Sequence, residues 1–319
     1  MRFAGHSSTS PRRMRRVLGA SEVSVFPLAL GASAFGWTAG NGPTNETLDR
    51  FAELGGNCIV TNASDSSGRS ELMVGNWLRH HERAHFVIVS TIAPRAGSER
   101  ALPSQIELAV QQTLARLRSE WIDVLVLDLA AGTPMQPVLE TMRSLLDEGK
   151  IRAFGATDFT TSMHAEAELI AATSTLPALS VGLYDWSLAH RVREPLLRSL
   201  ASQGTSVLPT APLAGGLLAI PARSRELGRV AKRAGFGGLA TRKGHQLLTS
   251  IEELSQEFGV APSAIALAWL LHKPRVAAPV VHAASPHGLA AAFEAVTVPF
   301  TRLALARLDQ QSNGMARNS

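Results

Sequence analysis

Proton chemistry has few candidates on this chain. Among 319 residues there is one tyrosine, Tyr184, and four lysines: Lys150, Lys232, Lys243 and Lys273. A phenol activated by a neighbouring ammonium is an effective general acid, so any such pair must join Tyr184 to one of those four. Cys58 is the single cysteine, which excludes an intrachain disulfide framework and a multi-cysteine zinc site. His80-His81-Glu82 looks like a ligand set only superficially, because adjacent residues on a helix point apart. His282 and His287 could receive an anion near the end of the chain, with plain surface histidines as the simpler reading. The aspartates become informative only once the elements that carry them are placed.

Short β-rich apolar runs alternate with helical stretches after residue 16. The runs predict strands over Phe26–Gly31, Asn57–Thr61, His85–Thr91, Ile122–Asp128, Ile151–Thr157, Leu179–Leu183, Ser206–Thr210 and Val276–Val281. Amphipathic helices are expected over Ser104–Leu117, Gln136–Glu148 and Glu194–Gln203; in the first, Ile106, Val110, Leu114 and Leu117 recur at helical spacing. Eight strands, each followed by a helical pattern, predict a parallel (β/α)8 TIM barrel. Val17–Val25 reads as a hairpin ahead of it. Residues 213–244 show little periodicity and read as a long loop after strand seven, where a lid could sit. Ala261-Pro262-Ser263 starts a helix with proline early, as its missing N–H allows.

Charge and composition narrow the class. Residues 1–16 hold five arginines and no acid, and outside them basic and acidic residues balance at 26 each. The net charge of +5 therefore belongs to a basic leader, expected to be disordered over residues 1–13, ahead of a single domain over 14–319. No nucleic-acid motif accompanies it. No apolar run approaches the roughly 20 residues of a membrane span, and no apolar segment suggests a secretory signal. Nucleic-acid and membrane partners are not expected, and the location expected is cytoplasmic. The arginine- and alanine-rich, lysine-poor composition suggests a GC-rich bacterial genome.

The order of motifs resembles the aldo-keto reductase superfamily over roughly residues 14–310. Gly68-Arg69-Ser70-Glu71 follows strand two and Trp121-Ile122-Asp123 opens strand four. Gly149-Lys150-Ile151-Arg152 leads to Gly155-Ala156-Thr157-Asp158-Phe159, followed later by Ala211-Pro212-Leu213-Ala214-Gly215-Gly216-Leu217 and Ala266-Leu267-Ala268-Trp269-Leu270-Leu271. The resemblance implies reduction of carbonyls with NADPH by an Asp, Tyr, Lys and His set at the carboxyl ends of the strands. Counting from the motifs places Val60, Asp65, Ile92 and Asp128 at those four positions. No lysine precedes Lys150 and Tyr184 comes after strand six, so no slip of register restores the set. Loss of one acid–base partner typically costs roughly 10²–10⁴-fold. Asp123 matches the family's structural aspartate.

The cofactor positions differ as well. Thr157 and Asp158 stand where the resemblance implies Ser-Asn, and Leu183 where it implies Gln. Gly288, Ala291 and Ala292 replace the Gln, Glu and Asn of the adenosine end. Weak or no NADPH binding, and no other cofactor or metal, is the expectation. The site then reads as Asp65 and Asp128, one acid and one base, in a pocket formed by Trp37, Val60, Asn62, Ser64, Ile92, Thr157, Asp158 and Trp186, with Ser66 and Ser67 nearby. Desolvation without a cation would raise their pKa values. That arrangement suits a redox-inactive, cofactor-independent enzyme: a lyase, isomerase or cyclase acting on an apolar small molecule such as a secondary-metabolite intermediate. Paired carboxylates also serve glycosidases, but 5% aromatics leave few sugar platforms. Two further readings are a non-catalytic binding or regulatory barrel, and an NADPH-dependent oxidoreductase with substitute residues.

Overall fold

The computed structural model describes residues 14–95, 99–283 and 286–316, apart from the side chains of Glu99 and His287. The leader expected over residues 1–13 and the His287 imidazole lie outside the described residues. Strands β1 (Arg16–Val17) and β2 (Ser24–Val25) pair antiparallel, with Arg16 opposite Val25. Gly19 takes φ +57° in their turn, and a Cβ there would stand 2.5 Å from the Ser180 carbonyl oxygen, so the turn needs glycine. This is the expected hairpin. It covers the amino ends of the barrel strands, where the Gly19 N–H donates to Ser206 Oγ at 2.8 Å.

The barrel strands are β3 (Ala29–Gly31), β4 (Cys58–Asn62), β5 (Val87–Ile92), β6 (Ile122–Asp128), β7 (Ile151–Thr157), β8 (Val181–Asp185), β9 (Ser206–Thr210) and β10 (Val280–Val281). They run parallel in the order β10-β3-β4-β5-β6-β7-β8-β9. The two edges meet where Val207 donates to the Arg275 carbonyl at 2.8 Å and accepts from Ala277 at 2.9 Å. The result is the expected (β/α)8 barrel.

Side chains alternate across each strand. Val60, Val89, Val124 and Val126 fill the barrel interior together with Leu18 and Val25 of the hairpin. Ile59, Ile88, Leu125 and Leu127 face the helices instead. Pro27 and Pro279 explain why β3 and β10 are shorter than the apolar runs suggested: neither has an N–H for the ladder. The Phe26 N–H turns to Asn57 Oδ1 at 2.7 Å, and Ala29 reaches the Pro279 carbonyl at 3.0 Å.

Residues 213–244 are not an unstructured lid. They contain a helix over Leu227–Arg233 and single turns over Leu217–Ala219 and Gly237–Ala240. Leu227, Ala231, Phe236 and Leu239 are buried in the outer core. Elements this short carry too few turns to show a period. No single helix among the described residues is long and apolar enough to cross a membrane. Arg242–Phe258 and Pro262–Leu271 pass that test only as a bent pair, and most of the second helix is buried in the core.

Candidate active site

A cavity of about 230 Å³ opens at the carboxyl ends of the strands. Asp65 and Asp128 both line it, with Val60 and Asn62 from β4 and Thr157 and Asp158 from the end of β7. The barrel brings these six expected residues together. The cavity also takes in Leu183, read above at a cofactor position, His282, read above as an anion candidate, and residues that sequence reasoning missed: Ser33, Thr61, Thr91, Thr210 and Val280.

Asp65 begins a single 3-10 turn, Asp65–Gly68, in which Ser66 (φ 51°) and Ser67 (φ 57°) are both left-handed. Two successive non-glycine residues in that region cost about 1–3 kcal/mol each, so the surrounding structure must hold them. Gly68 (φ +81°) continues the turn, and a Cβ there would meet Arg116 Cδ at 2.7 Å. Buried Glu71 accepts from Ser90 Oγ at 2.7 Å and from Arg116 Nε at 2.6 Å, and Ser70 Oγ donates to the Ala32 carbonyl at 2.8 Å. The Gly-Arg-Ser-Glu motif thus anchors the loop that presents Asp65. Burial raises the Asp65 pKa, and the Glu71 charge raises it further.

Asp128 ends β6. Its pKa is raised by burial and then by the charge of Asp158, against the opposing charge of Arg95. It also borders a second cavity of about 480 Å³, walled by Pro94, Leu102, Leu129 and Pro134, with Arg95 at its edge. Asp158 (φ 54°) accepts from Arg193 Nη2 at 2.6 Å. His282 follows β10 and crosses to β3, where its Nδ1 lies 3.0 Å from Ser33 Oγ. Its ring occupies the space over Gly31, where a Cβ would fall 2.3 Å from the ring's Cε1. Crowding at the mouth lowers the His282 pKa, with a backbone hydrogen bond at Gly31 opposing that shift. The only sequence sign of this role was its place just after the last strand.

Four expected pocket residues do not line the mouth cavity. Trp37 is 79% exposed, and Ser64 is an exposed turn residue whose N–H donates to Asn62 Oδ1 at 2.8 Å. Ile92 packs in the outer layer against the helices, and its neighbour Thr91 reaches the cavity. The two-residue alternation of a strand is the reason; neither residue is a lysine. Trp186 is buried edge-on to Trp269, with ring centroids 6.0 Å apart, so it offers no open face for stacking.

The lone tyrosine is also accounted for. Tyr184 points out of the barrel, is 2% exposed, and lies 2.5 Å from His164 Nε2. Lys150 pairs with Glu148, Lys273 with Asp309, and Lys243 donates to the Asn313 carbonyl. No lysine lines the mouth cavity. Asp123 is structural, as expected: it accepts from Arg83, Arg152 and the Ile88 N–H. Among the described residues no group of three acidic, histidine or cysteine side chains could hold a metal ion.

The donor set can be tested against a nicotinamide nucleotide. Thr157 keeps a hydroxyl and Asp158 a carboxylate oxygen at the end of β7, so a carboxamide finds a donor and two acceptors there. After β9, Ala211, Ala214, Gly215 and Gly216 all take positive φ. At Gly215 and Gly216 a Cβ would meet nothing within 4 Å, leaving the backbone open to a ligand. The helix Pro286–Phe293 begins beyond β10, and its N-terminus favours an anion. Leu183 offers no hydrogen bond at the mouth. The residues fit the group, with backbone replacing several side chains.

The comparisons agree. The model of the aldo/keto reductase family matches residues 27–313. An aryl-alcohol dehydrogenase of Pestalotiopsis microspora is 26% identical, the match covering 91% of this chain and 79% of that protein. Norsolorinic acid reductases of Emericella nidulans and Aspergillus flavus are 28% and 26% identical, covering 81% and 83% of this chain and 71% and 72% of those proteins. These relatives are named as oxidoreductases. That overturns the expectation of a redox-inactive lyase, isomerase or cyclase, and with it the expectation that no cofactor is used. Side-chain losses at the adenosine end were a poor guide, because backbone groups can hold the same ligand. The relatives reported are fungal and lend no support to a bacterial source.

Proposed function

Because the chain belongs to the aldo/keto reductase family, we propose that it is an NADP(H)-dependent oxidoreductase of small molecules in which carboxyl groups handle the proton. The observation that carries this reading is that Asp65 and Asp128 share one cavity at the barrel mouth, each with its pKa raised by burial. A carboxyl held towards its protonated form can donate at a pH where an ordinary aspartate cannot. A bound dihydronicotinamide would supply the hydride. Thr157 and Asp158 would hold its carboxamide, and Arg193 balances the Asp158 charge. Asp128, placed between the two cavities, passes its proton to the heteroatom of the substrate's double bond. The Ser33–His282 pair adds hydrogen bonds from the other side of the mouth.

The name of the aryl-alcohol dehydrogenase relative favours an aromatic substrate. The larger cavity beside Asp128, with Leu102, Leu129 and two prolines in its wall, suits an aromatic body. Calorimetric titration with NADPH tests the cofactor, and consumption of NADPH against a panel of aromatic aldehydes and ketones tests turnover. We expect binding and turnover, with Asp128→Asn lowering kcat by about 10²–10⁴-fold. Failure of both NADPH and NADH to bind would sink the proposal.

A further inference from the structure

The residues at the mouth differ from the family pattern in charge as well as in acid strength. Val60 stands in place of an anion, no lysine lines the cavity, and Asp65 and Asp128 stand where neutral or basic groups are implied. Beside the carboxylates the wall carries the hydroxyls of Thr91, Thr157 and Thr210, which can accept as well as donate. Thr61, only 1% exposed, borders the same cavity with a hydroxyl that has no partner among the described residues. Of the cations nearby, Arg193 is held by Asp158 at 2.6 Å, and Arg95, exposed at the edge of the neighbouring cavity, offsets part of the charge at Asp128.

Reduction of a carbonyl builds negative charge on oxygen, and such charge is best met by donors and cations. This wall offers carboxylates and neutral hydroxyls but no lysine or phenol. It matches a substrate that enters as a cation and loses its charge in the reaction. Resting on the oxidoreductase reading above, we propose that the reducible bond is C=N, bound as an iminium cation against the carboxylates of Asp65 and Asp128.

The reaction balances without the missing acids. The iminium carbon accepts a hydrogen with two electrons, the C=N π pair becomes the nitrogen lone pair, and the product is a neutral amine. A bound dihydronicotinamide would be the reductant; loss of hydride would leave its nicotinamide ring as the pyridinium cation, which carries the positive charge that the iminium gives up. A neutral imine first takes one proton from a carboxyl group of the pair, and solvent returns it. No phenol or lysine is required, so a mouth that keeps only carboxyl groups is complete for an iminium substrate.

The test separates this proposal from its premise. Calorimetry without nucleotide compares tetrahydroisoquinoline, cationic at neutral pH, with its neutral oxygen isostere isochroman. A charged hydrogen-bonded contact implies about 10–100-fold tighter binding of the amine. Asp65→Asn combined with Asp128→Asn should abolish that preference, and the ligand pair decides on the unaltered protein even if the double variant does not fold. With NADPH present, N-methyl dihydroisoquinolinium should be consumed faster than tetralone. Equal binding of amine and ether, or faster turnover of the ketone, overturns the C=N assignment and leaves the oxidoreductase reading standing. Failure of NADPH to bind in a separate titration removes the premise and the proposal with it.

Discussion

Replacing Tyr184 with phenylalanine asks whether the only tyrosine serves the fold or the chemistry. Its hydroxyl lies 2.5 Å from His164 Nε2 and is hydrogen-bonded to the Phe159 backbone. His164 Nδ1 is already buried without a partner among the described residues. Phenylalanine keeps the ring and the Arg193 guanidinium stacked 5.2 Å above it, so no cavity is created. What is lost is the partner of two buried polar groups. Each orphaned group costs about 1–3 kcal/mol, and the pair about 2–6 kcal/mol. In a chain of this size that is a fall in Tm of roughly 3–9 °C. Thermal melting followed by circular dichroism reads the first quantity. Turnover per folded molecule at a temperature below both transitions reads the second, and should stay within about 2-fold. A loss of about 100-fold or more in turnover with unchanged melting would show that Tyr184 reaches the reacting atoms, and would refute its outward placement.

His164 carries a pH prediction. Burial, then the charge of Arg193, lowers its pKa to about 4. The unfolded chain therefore binds the extra proton first, and stability should fall as pH drops from about 6.5 to about 4, by a total of the order of 3 kcal/mol. Urea titrations should lose that component in His164→Leu. Asp65→Asn and Asp128→Asn should each raise Tm slightly at neutral pH. A carboxyl with a raised folded pKa is more stabilising when protonated, so the advantage should vanish below the ordinary carboxylate range near pH 4. Glu71→Ala, which strips a fully buried carboxylate from Arg116 and Ser90, should cost about 3–5 kcal/mol in chemical denaturation. Gly31→Ala should push the His282 ring away from Ser33, visible as a changed imidazole resonance in NMR; an unchanged resonance would mean that the ring does not lie over Gly31.

Local signals carried most of the fold. β6, β7 and β9 coincide with their apolar runs end for end, because an apolar run bounded by turn residues leaves little freedom for a buried parallel strand. The hairpin was legible from Leu18-Gly19 and Val23-Ser24-Val25. The motifs located Asp65 and Asp128 because each is a short count from an anchored residue, Gly68 or Asp123. The same counting misplaced Ile92, since one residue of offset in a strand exchanges the interior for the outer face. Trp186 was expected to stack on a ligand because aromatic identity is visible in sequence and the direction of a ring is not.

By itself the sequence determined the barrel, the pair of aspartates and the scarcity of tyrosine and lysine. Only the tertiary structure decided what that scarcity meant. It turned Tyr184 outward onto His164 and tied Lys150, Lys243 and Lys273 to partners away from the mouth cavity. It also brought His282 to Ser33 across 249 residues of chain. Such contacts form where a closed sheet joins its last strand to its first. Neither end carries a local pattern that announces the meeting, because the energy of the contact depends on the barrel being closed.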